Sequence, residues 1–210
     1  MFIHNCITYA RNLVTLKKDD TIGHAISVMK KNQLKSIPVI DDDGKFVGIL
    51  SKEGLFEIFE KGQIGDYEDL KREPIAMGIS KIEPLNLDSR FEQLLPIIVR
   101  YPFVPIIDDE GIFQGIVKRK EITRALESSF GVGVSGIRIL IGTLEMEGRL
   151  EKILEIVHHL HLNVITALAF DAGEKFNRRV LLKIEHTDKK EELLNILEKN
   201  GFKILTIHED

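Results

Sequence analysis

A chain of 210 residues has room for one large or two modest domains, and 43% hydrophobic with 30% charged residues is an ordinary soluble composition. The net charge of -4 gives the surface as a whole no attraction for nucleic acid or an anionic membrane, so any anion site has to be local. The lone Cys6 excludes an internal disulfide and fits a reducing cytoplasm; no apolar run nears the roughly 20 residues that span a bilayer, and Arg11 interrupts the N-terminus too early for a signal peptide.

In chain order, residues 13–16 read as a short strand. Asp19, Asp20 and Thr21 then offer N-cap chemistry, with Ile22, Ala25, Ile26 and Met29 following at helical spacing. A strand over 37–40 turns at Asp43 and Gly44 and returns over 46–50, and a second helix covers 52–60. Residues 62–81, polar and acidic at first and then apolar over 75–79, read as a connecting segment with a short helix. A new series opens with a strand over 82–87, demoted toward an edge by Pro84. Ser89 and Glu92 have capping-box spacing before a helix whose apolar face is Phe91, Leu94, Leu95 and Ile98. Pro96 falls inside that helix, where it costs about 3 kcal/mol unless the helix kinks or ends there. Tyr101, Pro102, Phe103, Val104 and Pro105 make a stiff apolar run, read either as a rigid lead into a strand or as an aromatic wall for a base.

The hairpin over 105–117 repeats the earlier one. Pro38 and Pro105 lie 67 residues apart, as do Gly48 and Gly115, so the chain contains an internal duplication of a strand-helix-strand-strand-helix unit. The acidic tract Asp41, Asp42, Asp43, Gly44 lacks the Glu a calcium loop needs at its twelfth position, and it returns as Asp108, Asp109, Glu110, Gly111, which marks it as hairpin-turn chemistry. The second copy ends on three cations, Lys118, Arg119 and Lys120, where a strand hands over to a helix over 121–128.

Glycines 131, 133 and 136 match G-x-G-x-x-G, but a helix precedes them and a strand follows, the reverse of what a dinucleotide fold requires, so 129–135 reads as a linker. The remaining third predicts a strand over 137–144, a helix over 148–159 with Leu150, Ile153, Leu154 and Val157 inward, and strands over 164–170 and 179–184. A helix over 188–200, stopped by Gly201, and a strand over 202–207 complete it. The order βαββαβ is the ferredoxin-like split unit.

The duplicated unit resembles a tandem pair of cystathionine-β-synthase (CBS) domains, and the βαββαβ unit, with Gly148, Arg149 and Leu150 at its first helix, resembles an ACT domain. The fold class is then α+β, with CBS repeats over 1–66 and 67–128, a linker over 129–135 and an ACT domain over 136–210. This arrangement is similar to bacterial CBS–ACT regulators of the acetoin-utilisation and cyclic-di-AMP-binding types. The resemblance implies a cytoplasmic, non-catalytic homodimer that senses a ligand and acts on an unidentified regulated protein, without nucleic acid, membrane, metal or cofactor.

Nucleotide-binding CBS repeats carry G-h-h-T/S-x-x-D, whose hydroxyl meets phosphate and whose Asp grips the ribose hydroxyls. The first copy here keeps Ser51 but has Gly54 at the Asp position; the second has Lys118 for the hydroxyl and Glu121 for the Asp. Loss of the ribose acceptor counts against AMP or ATP in the first copy. Cations at a strand end that opens a helix favour phosphate, because helix N-terminal N–H groups and a guanidinium fork both attract it. The resemblance therefore implies cyclic di-AMP, with adenine held near Asn12, Leu13, Val14, Lys35, Ser36 and Ile37 and the phosphates by Arg119 with Lys118 or Lys120. Ser51 and Lys52 would form a second site with Lys81, Ile82, Pro102 and Phe103. The bland reading of the three cations is a solvated helix start.

His158, His159 and His161 have no Cys or carboxylate at metal-ligand spacing, and no nucleophile elbow, HExxH or P-loop occurs. Two functional classes remain. One is an adenine-nucleotide sensor, with cyclic di-AMP ahead of AMP or ATP; the other is an amino-acid-responsive ACT regulator that uses the CBS pair as a dimerisation scaffold.

Overall fold

The structure, a computed structural model, describes residues 3–61, 66–144, 146–171, 173 and 177–209. The chain divides into two compact units, Met1–Arg124 and Ala125–Asp210.

In the first unit, β1 (Ile7–Tyr9) and β2 (Leu16–Lys17) precede α1 (Ile22–Lys31). Thr21 caps α1 by accepting from the His24 N–H at 3.2 Å, and Ile22, Ala25 and Met29 are its buried stripe. The hairpin β3 (Ser36–Ile40) and β4 (Phe46–Ser51) follows, its turn closed by Asp41 Oδ1 accepting from the Lys45 N–H at 2.8 Å and by Gly44 at φ 79°. Next come α2 (Lys52–Glu60), α3 (Tyr67–Arg72), a 3-10 turn over Ile75–Gly78, and the two-residue strands β5 (Ile79–Ser80) and β6 (Leu85–Asn86). A 3-10 turn over Phe91–Gln93 runs into α4 (Leu94–Arg100), and the second copy ends with β7 (Phe103–Ile107), β8 (Phe113–Lys118) and α5 (Arg119–Ser129).

These strands form two four-stranded sheets of matching design, β2-β3-β4-β5 and β6-β7-β8-β1. In each, a short opening strand runs parallel to the hairpin, as β2 does to β3 and β6 to β7. The fourth strand is exchanged: β1, ahead of the first copy, pairs with β8 of the second, and β5, between the copies, pairs with β4 of the first. Glycine permits both crossings. A Cβ on Gly48 would lie 2.8 Å from the Ser80 carbonyl oxygen, and one on Gly115 would collide with the Thr8 carbonyl. The duplicated hairpins also meet through their turns. The Phe46 N–H donates to the Gly111 carbonyl at 3.3 Å and the Phe113 N–H to the Gly44 carbonyl at 3.0 Å, while the two phenylalanine rings stack at 5.8 Å. Each of these contacts maps onto the other by the 67-residue offset. Beside them, Ile49 packs with Ile82, Phe103, Phe113 and Ile116 in a core built from both copies.

Three expectations change here. The opening strands are shorter than the expected 13–16 and 82–87, reduced to Leu16–Lys17 and Leu85–Asn86, and β1 is an element that the sequence reading lacks. The capping box falls one residue later: the Gln93 side chain accepts from the Arg90 N–H at 2.9 Å, and Ser89 Oγ accepts from the Asn86 N–H instead. Pro96 is the third residue of α4, inside the first turn where no intrahelical donor is needed, so the helix neither kinks nor ends at it.

The second unit contains β9 (Ile137–Leu144), α6 (Arg149–His159), β10 (Val164–Asp171), β11 (Asn177–Ile184), α7 (Lys190–Lys199) and β12 (Lys203–Glu209). Its sheet order is β10-β11-β9-β12, antiparallel throughout, which is the split βαββαβ topology. Ile137, Ile139 and Ile141 alternate toward a core shared with Val180, Leu182, Leu193 and Leu197. The inward stripe of α6 is Ile153, Ile156 and Val157, continued by Leu160, whereas Leu150 and Leu154 are 36% and 38% exposed. The stripe is thus rotated from the one expected, because the i, i+3, i+4, i+7 set that meets the sheet starts at Ile153. Arg149 ties the helix ends together. Its guanidinium donates to Thr143 Oγ1 at 2.7 Å, to the Asn200 carbonyl at 3.2 Å and to the Gly201 carbonyl at 3.0 Å, and lies over the Phe202 ring. It so satisfies carbonyls that the end of α7 leaves without partners.

Candidate functional site

Each hairpin ends where a helix begins, and the joint is the same in both copies. The Lys52 N–H donates to the Lys35 carbonyl at 3.0 Å, and the Arg119 N–H donates to the Pro102 carbonyl at 3.2 Å, again related by 67 residues. At the first joint, Ser51 pairs across the strands with Ser36 and its Oγ caps α2 by accepting from the Gly54 N–H at 3.0 Å. These joints border one cleft of about 490 Å³. From the first copy it takes Lys35, Ser36, Ile49 and Ser51, then Lys52, Glu53, Gly54 and Glu57 along α2; Ser80 of β5, Arg100 at the end of α4, Tyr101, Pro102 and Arg119 complete it.

The cleft holds four cations against two carboxylates, with three serine hydroxyls between them. One carboxylate is already engaged, since Glu57 pairs with Lys61 at 3.3 Å. None of Lys35, Lys52, Arg100 and Arg119 has an ion-pair partner among the described residues. The Arg119 guanidinium is steadied instead by donating through Nη2 to the Tyr101 carbonyl at 3.0 Å, and Tyr101 Oη donates to the Lys81 carbonyl at 3.4 Å. A local excess of unpaired cations in a partly enclosed cleft attracts anions although the chain as a whole is acidic.

Gly54 has a packing reason. A Cβ there would stand 3.1 Å from the Gly78 carbonyl oxygen and 3.4 Å from Ser51 Oγ, so the 3-10 turn ahead of β5 occupies the space a side chain would need. The position where the resemblance leads one to expect an Asp is crowded by main chain.

Of the residues singled out from sequence, Lys35, Ser36 and Arg119 come together in this cleft, joined by Ser51, Lys52 and Pro102 from what was read as a separate second site. The others do not line it. Asn12 closes a 3-10 turn and Val14 lies just after it, both exposed, and Leu13 packs against the two-copy core. The Ile37 side chain is fully buried opposite Leu50. Lys118 ends β8 opposite Phe103, and Lys120 turns toward Glu121 at 3.7 Å, which also pairs with Arg124 at 3.3 Å. The three-cation run therefore splits: alternation along the strand and rotation around the helix point its members in different directions. Lys81, Ile82 and Phe103 likewise lie outside, the last two in the core.

Arg100, Ser80, Glu53 and Glu57 were not anticipated. Ser80 had one faint signal: Ile79 and Ser80 align on β4 as Ile7 and Thr8 align on β8, so a hydroxyl recurs at the crossing position.

A second cleft of about 330 Å³ in the other unit is bordered by Thr143, Arg149, Leu150, Arg178 and Val180. His158, His159 and His161 sit at the end of α6 with ring centroids 6.3 and 6.4 Å apart, and the described residues contain no group of three metal-ligating side chains. Cys6 is half-buried, and burial, reinforced by the negative charge of Glu121, raises its thiol pKa. Among the described residues no helix is long and apolar enough to cross a membrane.

Residues 7–61 match the family model of the CBS domain. Among solved structures, the chain is similar to CbpB in complex with c-di-AMP, at 29% identity and a TM-score of 0.53, over 61% of this chain and 85% of that one. It is also similar to CbpB from Streptococcus agalactiae, at 30% identity and a TM-score of 0.51, over 59% of this chain and 78% of that one. Among curated proteins it matches inosine-5'-monophosphate dehydrogenase of Methanocaldococcus jannaschii, 24% identical over 186 residues and 88% of this chain. The chain spans about a third of the length of the curated relatives it matches, 34% in each of two such dehydrogenases. With the exchanged strands and the duplicated hairpins, the family match places a CBS domain in this chain.

Proposed function

We propose that the chain is a non-catalytic, ligand-sensing regulator whose duplicated unit binds an adenine nucleotide, cyclic di-AMP before AMP or ATP, and passes its occupancy to a partner protein. The observation that carries this reading is the cleft itself: one cavity draws on both copies, offers four cations and three hydroxyls, and has glycine at position 54, crowded by main chain, in place of a carboxylate for a free ribose diol. A 3′,5′-cyclic dinucleotide has esterified 3′ hydroxyls and needs cations more than a diol acceptor. The likeness to CbpB, solved with c-di-AMP, supports the same choice. One ligand phosphate lies near Arg119 and a base near Lys35 and Ser36. The dehydrogenase activity of the longer relatives forms no part of the proposal.

The proposal divides the chain into CBS repeats over 1–66 and 67–128, a linker over 129–135 and an ACT domain over 136–210, in a cytoplasmic homodimer. A second reading rests on the cleft beside Arg149, close to Gly148, which would take an amino acid while the duplicated unit served as a scaffold. A thermal-shift panel separates the two. A ligand that binds only the folded chain at 100 times its dissociation constant adds about 2.7 kcal/mol. Stabilisation by cyclic di-AMP above AMP and ATP supports the first reading; stabilisation by an amino acid alone supports the second.

A further inference from the structure

We propose that Lys52 and Arg119 are equivalent anchors, each holding one phosphodiester of a single cyclic dinucleotide, so that the internal two-fold symmetry of the ligand matches the duplication of the chain. The inference rests on the nucleotide reading above and adds a binding residue, an orientation and a stoichiometry to it.

The two residues are 67 positions apart, the offset that relates the copies. Each is the first residue of its helix, α2 or α5. The main-chain N–H of each is pinned to the carbonyl of an equivalent residue, Lys35 or Pro102, at 3.0 and 3.2 Å. Both side chains border the same cleft, and neither has an ion-pair partner among the described residues. In an ordinary arrangement of separate mononucleotide sites, each copy would keep its helix-opening residue for its own ligand. Here the two share one cavity of about 490 Å³, within the usual range for a small-molecule site. A ligand with one phosphate reaches both only by bridging them through oxygens of the same group. Two equal anionic groups on opposite sides of a symmetric ring satisfy both. The copies are not identical in chemistry, since lysine is a point charge and arginine a planar fork, so the two ends differ in strength but not in role.

Isothermal titration of the full chain tests this. For cyclic di-AMP the expected result is one molecule per chain, with Lys52→Ala and Arg119→Ala each weakening binding by about tenfold or more, the scale of a lost charge-assisted hydrogen bond. Lys52→Arg should restore affinity to within about threefold. Both side chains are solvent-exposed, so unchanged melting temperatures will show that the variants fold. If Lys52→Ala leaves cyclic di-AMP affinity unchanged while Arg119→Ala lowers it, the paired-anchor inference fails and the nucleotide reading stands. Two molecules per chain would also overturn the inference. Silence with every adenine nucleotide would remove both.

Discussion

At Gly54 a side chain would be crowded by the carbonyl of Gly78, 3.1 Å from where a Cβ would start. Gly54→Asp should therefore destabilise the fold by about 1–3 kcal/mol in a urea titration, the ordinary cost of overpacking, without tightening AMP. Tighter AMP binding at undiminished stability would show that the space exists. Arg119→Ala should weaken cyclic di-AMP by about 1.5–3 kcal/mol while leaving the melting temperature in place, because the side chain is exposed and its one hydrogen bond goes to the Tyr101 carbonyl. Cys6 should react slowly with an alkylating reagent at neutral pH, since burial and then Glu121 raise its pKa and thin the thiolate population. A rate equal to that of a free thiol would contradict this. Lys35 and Ser36 came from the family resemblance and Arg119 from the cation run that ends the repeated hairpin, and all three border the cleft. Arg100 and Ser80 were not legible in the sequence, because a helix end and an exchanged strand bring them to the cleft, and no spacing within one copy encodes that.

Among the elements, the hairpins and long helices follow from local chemistry: apolar alternation, acidic turns closed by Gly44 and Gly111, and a Thr21 cap on α1. Thr21→Ala should cost about 1 kcal/mol of stability by removing that cap. The illegible elements were β1 and β5. Each is three residues or fewer, and β1 finds its partner more than 100 residues away, at Ile7 opposite Val117. A strand that short carries too little periodicity to announce itself, and its partner is specified by glycine on the receiving strand. Gly48→Ala places a Cβ 2.8 Å from the Ser80 carbonyl and should displace β5 from β4. The displacement would appear as fast amide exchange at Leu50 and Ser80 and a loss of about 1–3 kcal/mol. Wild-type protection would mean that the crossing tolerates a side chain. Pro96 shows the converse, a residue whose cost disappears once the helix starts two positions before it.

At the scale of the molecule, the duplication makes the cleft. Turns that hydrogen-bond to each other, stacked Phe46 and Phe113, and exchanged edge strands hold two copies so that equivalent helix starts border one cavity. The second unit has its own pH signature in the Lys190–Glu209 pair at 2.8 Å. The hydrogen bond from Lys190 holds the Glu209 carboxyl below its ordinary value, and Glu209 raises Lys190 above its own. The carboxylate contribution is present above the ordinary glutamate range and disappears as pH falls through the lowered value; that of Lys190 disappears as pH rises through the raised one. Glu209→Gln should therefore narrow the gap in melting temperature between neutral pH and pH about 4. An unchanged gap would show that the exposed pair contributes nothing.

Calorimetric titration of the unmodified chain with cyclic di-AMP asks whether the shared cleft is a cyclic-dinucleotide site. The expected result is heat of binding that saturates at one ligand per chain and an affinity above those for AMP and ATP. No heat with cyclic di-AMP, alongside saturable heat with an amino acid, would contradict it.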